Sequence, residues 1–113
     1  MFQNRREKEY YDNCKLKFEG EFLNGERNGN GKEYYKNGEL KFEGEFLNGE
    51  ANGKGKEFYD NGKLKFEGEY LNGKRWNGKR YNIYGNIDYI ITEGKGNIKE
   101  YYEYLNILYV GQY

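Results

Sequence analysis

Apolar and charged residues alternate strictly along Leu40-Lys41-Phe42-Glu43-Gly44-Glu45-Phe46, with Leu, Phe or Gly at every second position. A period of two predicts a strand with one face in a core and the other in water. Asn48-Gly49 and Asn52-Gly53 come next, and Asn and Gly tolerate the positive φ that tight turns require. The pattern therefore predicts that both pairs bring the chain around. A second strand is expected from about Lys54 to Tyr59, and Asp60-Asn61-Gly62 turns the chain into the next segment.

That segment repeats the one before it. KLKFEGEFLNGERNGNGKEYY begins at Lys15, ELKFEGEFLNGEANGKGKEFY at Glu39 and KLKFEGEYLNGKRWNGKRY at Lys63, each 24 residues after the last. The first two strings agree at 17 of 21 positions, far beyond coincidence. The recurring core columns are Phe18/Phe42/Phe66, Gly20/Gly44/Gly68 and Phe22/Phe46/Tyr70. A Gly between two aromatics in every unit predicts packing, with a ring from a neighbouring strand lying where the side chain is missing. One hairpin buries too little apolar surface to offset its ordering, so each unit needs neighbours. The predicted fold is all-β: an elongated, twisted antiparallel meander of stacked β-hairpins forming a single repeat domain over 1–113. Repeats are well formed over about 8–80, starting with Lys8-Glu9-Tyr10-Tyr11, and degenerate over about 81–113. After Leu71 the unit shortens by one residue, with Trp76 standing where the second unit has Asn52-Gly53. Lys99–Tyr113 aligns again with Lys32–Phe46, so the sequence ends on an expected strand at Tyr113.

Composition narrows the chemistry. The chain has 14 Tyr, 7 Phe and 17 Gly, which suits strands and turns better than a helical core. It has no Ser and no His, a single Thr (Thr92) and a single Cys (Cys14). Nucleophile–His triads and Cys/His zinc sites cannot be assembled from such a set, and the expectation is a protein that is not an enzyme and needs no cofactor or metal. A lone Cys forms no internal disulfide, and no stretch reads as a signal peptide or a membrane-spanning segment, so a cytoplasmic location is expected. Basic and acidic residues balance at 19 each, which argues against a nucleic-acid partner.

Charge patterning supplies the candidate binding residues. The columns Lys17/Lys41/Lys65, Glu19/Glu43/Glu67 and Glu21/Glu45/Glu69 are expected to form ladders on the solvent face, with members two strands apart by roughly 9.5 Å. The one local asymmetry is Lys74-Arg75-Trp76-Asn77-Gly78-Lys79-Arg80, four cations around the only Trp. Lys74, Arg75, Trp76, Lys79 and Arg80 are accordingly a candidate site for anionic lipid headgroups, peripheral to a membrane. Tyr35, Tyr59 and Tyr102 fall on the parity opposite to their aromatic neighbours, and some of them are expected to be exposed.

The stretch Phe18-Glu19-Gly20-Glu21-Phe22, followed by Gly25, Gly29 and Gly31, then Tyr34-Tyr35 and Asn37-Gly38, resembles a MORN (membrane occupation and recognition nexus) repeat, with two further copies. The wording EYYKNGELKFEGEF is also similar to a variant found in antitoxin-like proteins. The resemblance implies a ribbon of antiparallel hairpins and a role in scaffolding through a protein partner. It also implies two alternatives: a peripheral phosphoinositide- or anionic-lipid-binding module, or an antitoxin-like immunity protein. A strand ending at Tyr113 leaves an edge open to pairing, so a homodimer through that edge strand is expected. Light scattering across a concentration series should show the dimer growing in. A monomer at the highest concentration contradicts it.

Overall fold

The computed structural model describes residues 3–97, and Lys99–Tyr113 with its predicted edge strand and Tyr102 lies outside them. Among the described residues nine strands run in chain order through one antiparallel sheet: β1 (Arg5–Tyr10), β2 (Leu16–Leu23), β3 (Glu26–Tyr34), β4 (Leu40–Leu47), β5 (Glu50–Phe58), β6 (Leu64–Leu71), β7 (Lys74–Tyr81), β8 (Ile87–Thr92) and β9 (Lys95–Asn97). Every strand pairs with its sequence neighbours, as a meander of hairpins must. The resulting body measures 60 × 32 × 16 Å, long and about one sheet thick.

Two turn types alternate. The tips Asn24-Gly25, Asn48-Gly49 and Asn72-Gly73 hold both residues at positive φ, 50–52° for Asn and 81–85° for Gly. Such tips match the twist of the flanking strands, and Asn and Gly enter this region at least cost. At the other end, Tyr59 N–H donates to Lys63 O at 2.8 Å and Gly62 N–H to Tyr59 O at 2.9 Å. The Asn61 side chain closes that loop by accepting from Lys63 N–H at 3.0 Å. The pair Asn52-Gly53 does not turn the chain. It lies inside β5, which begins at Glu50 and not at Lys54. Gly44 faces Gly55 and Phe46 faces Ala51, so three residues of β5 bulge against Glu45 alone. In the third unit Gly68 faces Gly78 and Tyr70 faces Arg75, and the bulge has lost one residue. The shortened repeat is thus absorbed in the bulge, at Trp76, without disturbing the ladder.

The core is a row of rings. Phe18, Phe22, Phe42, Phe46, Phe66 and Tyr70 are all buried, together with Ile91. The order Phe22–Phe18–Phe46–Phe42–Tyr70–Phe66 is continuous, with centroids 5.2–5.5 Å apart and planes at 79–90°. Edge-to-face contact sets the positive rim of one ring against the negative face of the next, and adds roughly 0.5–1.5 kcal/mol per pair to plain burial.

The glycines take two roles where one was expected. Gly20, Gly44 and Gly68 each face a second glycine, Gly31, Gly55 and Gly78. A Cβ on Gly44 would stand 2.6 Å from Lys54 O and 2.7 Å from Gly55 Cα, so this column admits a neighbouring backbone more than a neighbouring ring. The ring slot is the second column. A Cβ on Gly55 would meet Phe42 at 2.8 Å and Tyr70 at 2.9 Å. Of the three tyrosines of opposite parity, Tyr102 lies outside the described residues, and Tyr35 and Tyr59 are half-buried. Their hydroxyls donate to Phe58 O at 2.6 Å and Tyr81 O at 2.7 Å, and Tyr11 does the same to Tyr34 O at 2.6 Å. Each such bond ties one turn to its counterpart in the next unit.

Replacing Gly55 by Ala should cost about 2–3 kcal/mol in urea unfolding, because the methyl has nowhere to go in a packed ring slot. Gly38→Ala meets no atom within 4 Å and carries only the strain of φ +93°, about 1–2 kcal/mol. Equal losses for the two would remove the ring-slot account.

Candidate functional site

The face away from the rings carries a charged lattice. One row crosses seven strands with strict alternation of sign: Lys8, Glu19, Lys32, Glu43, Lys56, Glu67 and Lys79, each the direct cross-strand partner of the next. A second row, two residues along each strand, contains Glu21, Asn30, Glu45, Lys54 and Glu69. Between the rows lies the line of glycines, which raises no side chain. The result is a groove of about 710 Å³ floored by Gly31, Gly44, Gly55 and Gly68. Its walls have both signs of charge within reach at every strand.

The ladder was legible in part. Its glutamates are the column expected from sequence, but its cations are Lys8, Lys32, Lys56 and Lys79, where Lys17, Lys41 and Lys65 were expected. Those three sit at register shifts and lie over Tyr11, Tyr35 and Tyr59 instead, 5.4–5.7 Å from the ring centroids. The 24-residue recurrence of Lys8, Lys32 and Lys56 was the available signal; only the strand register tells which lysine column meets the glutamates. Among the described residues no ladder lysine comes within 4.0 Å of a ladder carboxylate. Two of the glutamates accept from tyrosine instead, Glu19 from Tyr34 at 2.9 Å and Glu67 from Tyr81 at 3.0 Å. Desolvation and then the Glu19 hydrogen bond push the Tyr34 hydroxyl up to about 12, and the same two causes raise Tyr81. At the equivalent position of the second unit stands Phe58, so Glu43 at the middle of the groove receives no such hydroxyl.

The basic segment is divided between the two faces. Arg75 faces Tyr70 and Arg80 faces Phe66, both on the aromatic side, whereas Lys79 faces Glu67 in the charged row. Arg75 grips Glu57 through Nε at 2.7 Å and Nη2 at 2.9 Å and stacks on Phe66. Arg80 pairs with Asp88 and lies over Tyr89. Trp76 is only 36% exposed, covers Gly94, and accepts that glycine's N–H at its carbonyl, 2.7 Å away. Lys74 is exposed at the hairpin tip. Of the five residues nominated from sequence, two arginines are therefore engaged with acids, Lys79 ends the charged row, and no single basic patch unites them.

Glu57 shows how the aromatic side binds its charges. Desolvation drives its carboxyl up, but the Arg75 and Tyr70 hydrogen bonds, with the charges of Arg75 and Lys65, outweigh it and hold the carboxyl below the usual range. The Tyr70 hydroxyl, desolvated and donating to Glu57, is driven well above the usual tyrosine range. A depressed carboxyl contributes stability above its unfolded value, which is lost as pH falls through the folded one. Stability should therefore decline below about pH 4.5, the carboxyl's ordinary value. Glu57→Gln should lower stability at pH 7 by about 1–2 kcal/mol and flatten that acid slope. An unchanged slope in acid urea titrations counts against the pairing.

A long, single-layer sheet of self-similar hairpins, braced by one ring row and carrying a charge lattice on the other face, defines a β-repeat ribbon. The MORN repeat profile matches residues 18–39, and a MORN repeat variant matches residues 51–72. The chain thus contains MORN repeats within residues 18–72. Among curated proteins, none is similar enough to the chain to count as a relative.

Proposed function

We propose that this protein is a non-catalytic interaction module that binds an extended segment of a protein partner along the glycine-floored groove. The observation that carries this reading is the alternating row from Lys8 to Lys79, whose charges are in register but not closed into ion pairs. Charges that satisfy one another across the sheet leave little for a partner, whereas open ones offer donors and acceptors at every ~4.8 Å step. A lattice of both signs suits a polypeptide with mixed charge. It suits a uniformly anionic surface much less, because half of its positions repel such a surface. The lipid reading also loses support where Arg75 and Arg80 are already bound to Glu57 and Asp88. Scaffolding and antitoxin-like neutralisation are two uses of the same binding surface, and the partner's identity separates them.

Inverting every rung (Lys8→Glu, Glu19→Lys, Lys32→Glu, Glu43→Lys, Lys56→Glu, Glu67→Lys, Lys79→Glu) keeps each neighbour opposite in sign. Stability should fall by about 1–3 kcal/mol, chiefly from the two tyrosine hydrogen bonds lost at Glu19 and Glu67, while a stoichiometric partner recovered with the parent chain is lost. A partner recovered equally by both chains overturns the groove as its site. Flotation of the parent chain with phosphoinositide vesicles, abolished by Lys74→Glu, restores the lipid reading.

A further inference from the structure

Positions 27, 51 and 75 recur at 24-residue spacing and face the ring row at one register: Arg27 opposite Phe22, Ala51 opposite Phe46, Arg75 opposite Tyr70. The two arginines act alike. Arg27 lays its guanidinium 3.9 Å over Phe18 and donates to Glu9 at 3.2 Å. Arg75 lies 4.8 Å over Phe66 and forks onto Glu57. In both cases the ring lies 9 residues before the arginine (27 − 18 and 75 − 66) and the carboxylate 18 before it (27 − 9 and 75 − 57). At position 51 the same spacings supply Phe42 and Glu33, but the residue is Ala.

The missing side chain leaves three traces. Phe42 is 6% exposed where Phe18 and Phe66 are fully buried. Among the described residues Glu33 accepts no hydrogen bond, its ion pair being a loose 3.9 Å approach of Arg27 Nη1. A cavity of about 440 Å³ opens over Ala51, with Phe42, Glu33, Tyr35 and Glu57 in its lining.

We propose that this cavity binds a guanidinium group, brought by an arginine side chain of a partner protein. The planar cation stacks on the Phe42 face and its N–H edge donates to the Glu33 carboxylate, the combination a guanidinium meets better than an ammonium. The chain itself has no arginine to spare. Arg27, Arg75 and Arg80 are engaged, Arg5 and Arg6 lie on β1, and residues 98–113 contain none. The cations lining the cavity do not forbid it. Arg27 and Arg75 are paired with acids, and Lys41 and Lys65 border it, but Lys17 and Lys65 hold the same place next to Phe18 and Phe66, where arginines do bind. The site is on the ring side of the sheet, so it does not rest on the groove reading.

Ala51 is the only alanine, and its methyl is an unambiguous NMR probe. Titration of the full chain with N-acetyl-L-arginine methylamide should shift that methyl saturably, with affinity roughly ten-fold above the citrulline analogue, which keeps the shape and loses the charge. Free L-arginine serves as the small-molecule arm. Tighter binding of the amide supports a partner's side chain, and tighter binding of free arginine overturns the partner as the source. Ala51→Arg removes that methyl and should abolish the heat of binding read by calorimetry, and Glu33→Gln, which leaves the packing intact, should weaken the methyl shift several-fold. No saturable shift, an equal shift with the citrulline analogue or with phenyl phosphate, or an unaffected Glu33→Gln variant overturns the site.

Discussion

Edge-to-face contact between rings of successive repeats is the constraint that shapes every other feature of this protein. A ring from β2 touches one from β4, and a ring from β4 touches one from β6, so each unit's core is completed by its neighbour. That linkage requires rings to cross a strand, and they cross it where Gly31 and Gly55 present no side chain. The glycine columns then have a consequence on the opposite face. The line that accommodates rings on one side is the floor of a groove on the other. Core packing and the candidate binding surface are two sides of the same four glycines, Gly31, Gly44, Gly55 and Gly68.

The two faces handle charge differently, and burial is the reason. On the ring side, Arg27, Arg75 and Arg80 are each fastened to a carboxylate and laid over an aromatic, since a half-desolvated cation left unpaired is costly. On the open face, solvent screens the ladder and no such closure is enforced. Charge that is compensated internally serves the fold, while charge left open is available to a partner. This division explains why the cluster around Trp76, conspicuous as a string, splits on folding.

Departures from repeat symmetry are more informative than the symmetry. The residue lost near Trp76 disappears into a bulge, because a bulge already breaks the ladder and tolerates a change of length. Phe58 in place of a tyrosine leaves Glu43 without a hydroxyl, and Ala51 in place of an arginine opens the ring side. Both fall in the second unit, so the two faces are least satisfied at the same stretch of the ribbon.

The strand period, the 24-residue unit, the Asn-Gly tips and the six buried rings were all legible along the string, because they are local preferences repeated until they are unmistakable. So were the glutamates of the charged row. The remaining features came into being only with the assembled sheet. Whether Lys32 or Lys41 meets Glu43 depends on one-residue bulges that shift the register, and nothing local announces them. Whether Asn52-Gly53 turns or bulges depends on the strand it faces. Which arginines are occupied depends on carboxylates 18 residues away that only strand pairing brings near. Period and turn chemistry are written in neighbouring residues, whereas register, pairing of charge and free space belong to residues that meet only once the sheet has formed.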